Sequence, residues 1–292
     1  MAHKAGYVNI IGEPNTGKST LVNALLGERL MAVNPKAQTT RHRILGLLNG
    51  EGHQVVLSDT PGILDPRYAL QKSMMHAVNE ALEDADVLLV MTQMGRSPQQ
   101  SAIVVQKAAR VSCPILVLLN KIDLADQAAV GEALAAWQQA LPRAQVIPVS
   151  ALHGFHIDEL RERLIAMMPV HPAYFPKDEL SDRDTRFFVS EIVREQVLQH
   201  YHQELPYSTQ VVVTDFKEEE GLVRIVAEVI VMRESQKAIV LGREGRALRT
   251  LGTGARKAIE KFLQRKVFLR FVVKVDPDWR DDGKRLAHYG YR

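Results

Sequence analysis

The chain's 292 residues are 46% hydrophobic and 24% charged with a net charge of +3, values typical of soluble globular proteins that exclude disorder. A single cysteine, Cys113, rules out an internal disulfide framework, and no apolar run approaches the ~20 residues needed to cross a bilayer. The first motif begins at Gly12, so no signal peptide is expected; at roughly 100–200 residues per domain, the length suggests two domains in a cytoplasmic protein.

Strand-like runs at 7–11, 54–58, 86–91, 114–120 and 145–150 alternate with amphipathic segments near 18–26, 70–83, 98–110, 127–140 and 157–167. This alternation predicts an α/β domain over 1–168, a mostly parallel sheet with helices on both faces, and the almost wholly apolar strands fit burial on both sides. Pro169, Pro172 and Pro176 then mark 169–183 as a linker. From 184 to 292 the order changes. A helix is expected over 186–203, strands over 208–216 and 222–232 around the acidic turn "KEEEG", helices over 235–241 and 246–264, and a strand over 267–275. That α-β-β-α-α-β order predicts a separate α+β domain. Gly252 and Gly254 each weaken the long helix by about 1 kcal/mol relative to alanine, which predicts a break or bend there.

Within the first domain, "GEPNTGKST" (Gly12, Glu13, Pro14, Asn15, Thr16, Gly17, Lys18, Ser19, Thr20) matches G-x-x-x-x-G-K-[ST], after an expected strand and at the start of an expected helix. Its backbone N–H groups and the helix N-terminus would face phosphates, Lys18 would neutralise the β- and γ-phosphates, and the Ser19 hydroxyl would ligate Mg²⁺. Thr20 would cap contacts around the α-phosphate. In "DTPG" (Asp59, Thr60, Pro61, Gly62), Asp59 can hold a Mg²⁺-bound water and the Gly62 N–H can meet a γ-phosphate. "NKID" (Asn120, Lys121, Ile122, Asp123) decides the base. The Asp123 carboxylate can accept from guanine N1–H and the 2-amino group together, whereas adenine would leave it buried and unpaired. Asn120 would contact the opposite base edge, Lys121 would lie along the ring, and in "SAL" (Ser150, Ala151, Leu152) the Ala151 N–H would meet the guanine oxygen. All four motifs fall at carboxyl ends of strands, where open α/β sheets bind ligands, so GTP is the expected ligand.

This loop, with "AQTTRHRILG" (37–46), "DTPG", "NKID" and "SAL" in one order, resembles the Era family of bacterial GTPases. The resemblance implies a slow GTP hydrolase with Mg²⁺ as cofactor and a switch threonine at Thr39 or Thr40, of which Thr40 is preferred. The catalytic group is then Lys18, Thr40, Gly62 and Asn15, and the metal group is Ser19, Thr40 and Asp59. Ile63 stands where signalling GTPases carry a water-orienting glutamine. Related GTPases with an apolar residue there bind K⁺ through an asparagine at the position of Asn15; the alternative is that Asn15 merely braces the loop. Glu13 and Thr16 depart from the family's commonest wording, which puts rate or affinity in doubt but not the ligand.

The second domain carries the charge: between 233 and 274, twelve basic residues stand against three acidic ones, a footprint suited to a polyanion. "LGREGRALR" (Leu241, Gly242, Arg243, Glu244, Gly245, Arg246, Leu248, Arg249) places G-x-x-G between two expected helices. With the element order, it resembles a type II K-homology (KH) domain, in which the loop backbone clamps about four nucleotides. Glu244 has no role in that reading. The Era family has such a domain after its GTPase domain, so the resemblance covers nearly the whole chain. It implies as partners the 3′ region of small-subunit (16S) ribosomal RNA and the 30S subunit, met as a monomer, with peripheral contact at the inner face of the cell membrane for some members. The histidines of "HGFH" (153–156) have no partners at metal spacing and read as a solvated loop, and Trp137 and Trp279 read as packing residues.

Overall fold

A computed structural model describes residues 2–291 and divides into two compact units. One comprises residues up to Arg67 and Gln71–Asp182; the other comprises Tyr68–Leu70 and the residues from Arg183 onward.

In the first unit the elements run β1 (Lys4–Gly12), α1 (Lys18–Leu26), β2 (Ile44–Gly50), β3 (His53–Asp59), α2 (Ala69–Glu83), β4 (Val87–Gln93), α3 (Ala102–Ala109), β5 (Ile115–Asn120), α4 (Gln127–Ala140), β6 (Gln145–Pro148) and α5 (Ile157–Met167). The sheet order is β2-β3-β1-β4-β5-β6, with only β2 antiparallel to its neighbour. β5 is buried along its whole length and β4 along all but Gln93, as a sheet covered on both faces requires. α1 covers one face with Leu21, Val22 and Leu25, all fully buried. The sequence reading lacks β2, although "LLNGEGHQVV" carries the signal: two apolar runs around a Gly-Glu-Gly turn form a hairpin that pairs Ile44 with Asp59.

The proline-rich stretch expected as a linker is laid along this sheet as far as Asp182. Gln54 Oε1 accepts from the Tyr174 and Phe175 N–H groups (2.7 and 3.0 Å), the Leu47 N–H donates to Leu180, and the Ser181 hydroxyl donates to Leu45. The bonds to Leu45 and Leu47 occupy the outer edge of β2, which would otherwise offer unpaired amides. The passage between the units therefore falls at Asp182–Arg183.

The second unit runs α6 (Thr185–His200), β7 (Gln210–Glu219), β8 (Leu222–Val231), α7 (Glu234–Leu241), α8 (Arg246–Leu263), β9 (Lys266–Val275) and α9 (Gly283–His288). β8 is central, antiparallel to β7 and parallel to β9. Val189 and Val193 of α6 and Ala255 and Ile259 of α8 pack on the Val211, Val223, Ile225, Ala227 and Val267 face of the sheet. The expected break in α8 does not occur: the helix is continuous from Arg246 to Leu263. Tertiary packing overrides the glycine penalty. A Cβ on Gly254 would lie 2.5 Å from Gln196 Oε1, so glycine there permits the close approach of α6 and α8. α9, capped by Asp282, has too short a pattern to be read in sequence. Trp137 and Trp279 are both buried, and the Trp279 indole N–H donates to Ser208.

Candidate functional site

The first unit holds a cleft of about 590 Å³ at the carboxyl ends of its parallel strands. Its walls bring together Pro14, Asn15, Gly17, Lys18, Ser19, Thr20, Thr60, Gly62, Asn120, Lys121, Asp123, Ser150 and Leu152 from the four motifs. It also takes in Ala32, Val33, Asn34, Pro35, Gln38 and Leu124. Gln38 lies in the segment "AQTTRHRILG"; Ala32 and Val33 were missed because an irregular loop has no periodicity, and Leu124 had a signal, being the apolar residue directly after "NKID". Of the residues expected to hold nucleotide, Gly12, Glu13, Thr16, Asp59, Pro61, Ile122 and Ala151 do not form the wall.

Gly17 opens α1 at φ 97°, a left-handed conformation that glycine alone adopts freely, and a Cβ there would overlap the Asn120 amide. Lys18 follows, and its ammonium donates to the Gly12 and Glu13 carbonyls (3.2 and 2.8 Å). Burial lowers its pKa to about 8, against the opposing pull of the Asp59 and Glu13 carboxylates. Thr16 is buried, and its hydroxyl donates to the Glu13 carbonyl. The Glu13 carboxylate accepts from the Ser101 hydroxyl (3.1 Å) and lies 3.5 Å from the Arg96 guanidinium. The acid that seemed out of place in a phosphate loop is thus engaged outside the cleft wall.

At one end of the cleft three oxygen donors converge. Asp59 Oδ2 accepts from the Ser19 hydroxyl (2.7 Å) and the Thr40 hydroxyl (3.1 Å), and the two hydroxyls are 2.9 Å apart. Thr39 instead donates to the Lys36 carbonyl at 2.7 Å. Burial raises the Asp59 pKa, and its other oxygen, Oδ1, is buried without a hydrogen-bond partner among the described residues. Two hydroxyls and one carboxylate whose second oxygen is buried and unmet fit a hard, oxygen-seeking cation such as Mg²⁺. Gly62 lies against Pro14 so closely that a Cβ would sit 2.7 Å from its Cα. Ile63 is buried and its N–H donates to the Gly12 carbonyl.

At the other end, Asp123 Oδ1 accepts from the Ser150 hydroxyl (2.6 Å), and this bond is the main cause that holds its pKa below the ordinary value. An ionised acceptor is what the guanine edge requires. His153 Nε2 stands 3.7 Å from Asp123 Oδ2. Asn120 differs from expectation. Its amide NH₂ donates to the Thr16 carbonyl (2.8 Å) and its Oδ1 accepts from the Ala151 N–H (3.0 Å). Being buried, it ties the phosphate loop to the "SAL" loop with both ends of its amide, and the Ala151 N–H is engaged by it. Lys121 donates to the Asn15 carbonyl (2.9 Å) and to Gln93. The carbonyl of Asn15 is thus held by Lys121, and Asn15 itself is part of the cleft wall.

In the second unit, Gly242 (φ 69°) and Gly245 (φ 71°) both take positive φ, ending α7 and opening α8. Arg243, Glu244, Arg246 and Arg249 are exposed, while Leu241 and Leu248 are half-buried and Leu248 packs on the core. The basic footprint is partly cancelled: Arg246, Arg256, Arg265 and Lys274 are ion-paired with Glu244, Glu260, Glu218 and Glu228. Arg243 and Arg249 have no ion pair among the described residues and remain beside the loop. Exposed Ile239, on the last turns of α7, adds an apolar surface that the sequence reading did not single out. Among the described residues no group of three or more His, Cys, Asp or Glu side chains could hold a metal ion.

Two family models match, "50S ribosome-binding GTPase" over residues 7–121 and "KH domain" over 204–280. GTPase Era of Geobacter metallireducens is 41% identical over 291 residues, covering 99% of this chain and 98% of its own. The chloroplastic GTPase ERA1 of Zea mays is 40% identical, covering 99% of this chain and 71% of its own. Among solved structures, Era in complex with MgGDPNP and nucleotides 1506–1542 of 16S ribosomal RNA superposes with a TM-score of 0.93, 35% identity and 99% of each chain covered. An Aquifex aeolicus Era variant bound to GDP and AlF4⁻ has 36% identity over the same share of each chain and the same TM-score.

Proposed function

The chain belongs to the Era family of GTPases, and from that premise we propose a switch that binds GTP and GDP with Mg²⁺ and engages the 3′ region of small-subunit ribosomal RNA. It acts as a monomer in the cytoplasm, in assembly and maturation of the 30S subunit. Among the described residues no helix is long and apolar enough to cross a membrane. The observation that carries the reading is a single cleft with convergent Ser19, Thr40 and Asp59 oxygens at one end and an ionised Asp123 at the other.

Hydrolysis of GTP needs charge stabilisation on the β,γ-oxygens and an in-line water. Lys18, now bonded to two carbonyls of its own loop, exchanges them for phosphate oxygens. Thr40 and the Gly62 N–H report the γ-phosphate, because Thr40 touches Ser19 and Asp59 and Gly62 lies against Pro14 of the phosphate loop. Bound Mg²⁺ would be held by Ser19, Thr40 and Asp59 and would supply positive charge on the phosphates. Ile63 is buried and apolar and cannot orient water, which supports a slow intrinsic rate. Asn15 stands in the cleft wall and only its carbonyl is engaged by Lys121, which leaves its side-chain amide as the group assigned to K⁺. In the KH domain the loop from Gly242 to Gly245 clamps the RNA backbone, with Arg243 and Arg249 supplying charge.

Competition against labelled GTP tests the nucleotide reading: GTP and GDP displace the label and ATP does not, and equal competition by ATP overturns it. Equal single-turnover rates in K⁺ and Na⁺ at matched ionic strength would remove the K⁺ assignment. RNA affinity is expected to be higher with a GTP analogue than with GDP; equal affinities would end the switch proposal.

A further inference from the structure

The G-x-x-G loop contains an acid where a phosphate clamp gains nothing from one, and the geometry of that acid is specific. Glu244 sits in the left-handed region (φ 53°, ψ 28°), a conformation that non-glycine residues seldom take. Its Oε2 lies 2.9 Å from Arg246 Nη2, the first residue of α8, and both side chains are largely exposed. The carboxylate is therefore held on Arg246, the first residue of an 18-residue helix whose N-terminus carries no side-chain cap. These are the groups that a phosphate oxygen would use.

We propose that Glu244 is an affinity-setting residue of the RNA site: its carboxylate acts as an internal stand-in for an RNA phosphate, occupying Arg246 until a strand displaces it. The inference rests on the RNA-binding reading of the KH domain. Binding exchanges one ion pair for another on Arg246, so this arginine contributes little net affinity in the natural chain. The displaced carboxylate is left close to the incoming phosphate and opposes it. Arg243 and Arg249, which have no ion pair among the described residues, contribute their full charge. The effect is a clamp that closes on RNA and lets go again, consistent with a factor that must leave its product. An exposed ion pair alters an equilibrium constant by no more than about fivefold, and the repulsion adds to that, so the device tunes affinity without abolishing it.

A double-mutant cycle with an RNA of nucleotides 1506–1542 of 16S ribosomal RNA, the segment present in the solved Era complex, tests this on the full chain. Glu244→Gln is isosteric and lies on the surface, so the fold is retained. It is expected to tighten RNA binding by about fivefold at low salt and to steepen the slope of log affinity against log salt by about 0.7, one more phosphate neutralised. Arg246→Ala in the natural chain is expected to change affinity by less than about twofold, but to cost about fivefold in the Glu244→Gln background. Unchanged affinity and salt slope in Glu244→Gln, or equal costs of Arg246→Ala in both backgrounds, overturns the proposal. Gly242→Asp serves as the control: if it leaves RNA binding intact, the reading of the loop as the RNA site fails instead.

Discussion

Lys18 is 7% exposed and bonded to two carbonyls, whereas Arg243 and Arg249 stand in solvent beside a loop of similar glycine content. In the proposed function both loops offer backbone amides to phosphate. Around Gly12–Ser19 the supporting polar groups are buried and bonded to one another: Asn120 joins two loops, Thr16 and Thr60 are inaccessible, and Asp59 is shared by two hydroxyls. Around Gly242–Gly245 the polar groups are exposed and held by one weak ion pair. Buried groups act as a unit, because removing one leaves the others unsatisfied in a low dielectric. Exposed groups act nearly independently, and salt screens them. On the proposed function, the first loop would therefore serve specificity and the second adjustable affinity.

The largest test of that contrast is Asp123→Asn. The substitution keeps the shape and an acceptor for Ser150, but it removes the charge that guanine N1–H and the 2-amino group would share. GTP affinity is expected to fall on the order of a thousandfold, as loss of two charge-assisted bonds to the base predicts. Xanthosine triphosphate, with a carbonyl in place of the 2-amino group, should recover affinity for the variant. Competition binding decides, and unchanged GTP affinity would show that the base is read elsewhere.

Gly245→Asp is the matching test of the second loop. The backbone there is left-handed, but a Cβ would meet nothing within 4 Å, so the substitution strains the fold by only about 1–2 kcal/mol. A charge facing phosphate should weaken RNA binding on the order of fiftyfold while GTP affinity stays the same. A fall in both affinities would mean that the two loops are not independent.

The same contrast decides what could be read without coordinates. The four nucleotide motifs were legible because the chemistry fixes residue types at fixed spacing, and each was anchored to an apolar strand. The internal use of Asn120 was not legible, because both its partners, Thr16 and Ala151, are distant in sequence and are contacted through backbone atoms. β2 was missed because a glycine-rich turn between short apolar runs competes with the helix-strand rhythm around it. The stretch after Pro169 looked like a linker because prolines exclude helix and ladder, yet the backbone groups of Tyr174, Phe175 and Leu180 still bond to the sheet edge. For the second loop, G-x-x-G carried meaning only through the element order around it, and nothing in the wording gave the pairing of Glu244 with Arg246.

A smaller effect follows from Lys18. Its pKa of about 8 in the nucleotide-free chain lies below the unfolded value of 10.5, and burial is the cause. Nearby phosphate favours the charged form, so nucleotide binding should take up a proton at pH values above 8. Affinity should then fall with pH, approaching about tenfold per unit well above the free-state pKa. Stability of the free chain has the opposite sign. The unfolded state binds more protons between pH 8 and 10.5, so the contribution of Lys18 makes the fold more stable as pH rises through that window. Calorimetry at pH 8.5 in buffers of different ionisation enthalpy reads the proton uptake directly. No uptake would mean that the ammonium is not desolvated, and the account of the first loop as a buried unit would lose its main support.

The smallest effect concerns the platform of the second loop. Gly252 and Gly254 both lie inside α8, and intrinsic propensity alone gives each replacement by alanine a gain of about 1 kcal/mol. Their surroundings separate them. A Cβ on Gly252 would meet the Phe271 ring at 3.4 Å, an ordinary contact, whereas a Cβ on Gly254 would meet Gln196 Oε1 at 2.5 Å and His200 at 3.3 Å. Gly252→Ala should therefore stabilise the chain by about 0.5–1 kcal/mol in urea unfolding. Gly254→Ala should lose that gain, because Gln196, which donates to Gln199, must move to admit the methyl group. If both alanines stabilise equally, the close approach of α6 to α8 does not depend on the glycine. Because Gly252 lies two turns from the loop and a Cβ there would face the Phe271 ring of β9, the more rigid helix should bind RNA as before, and the exposed loop would then be shown to set its affinity locally.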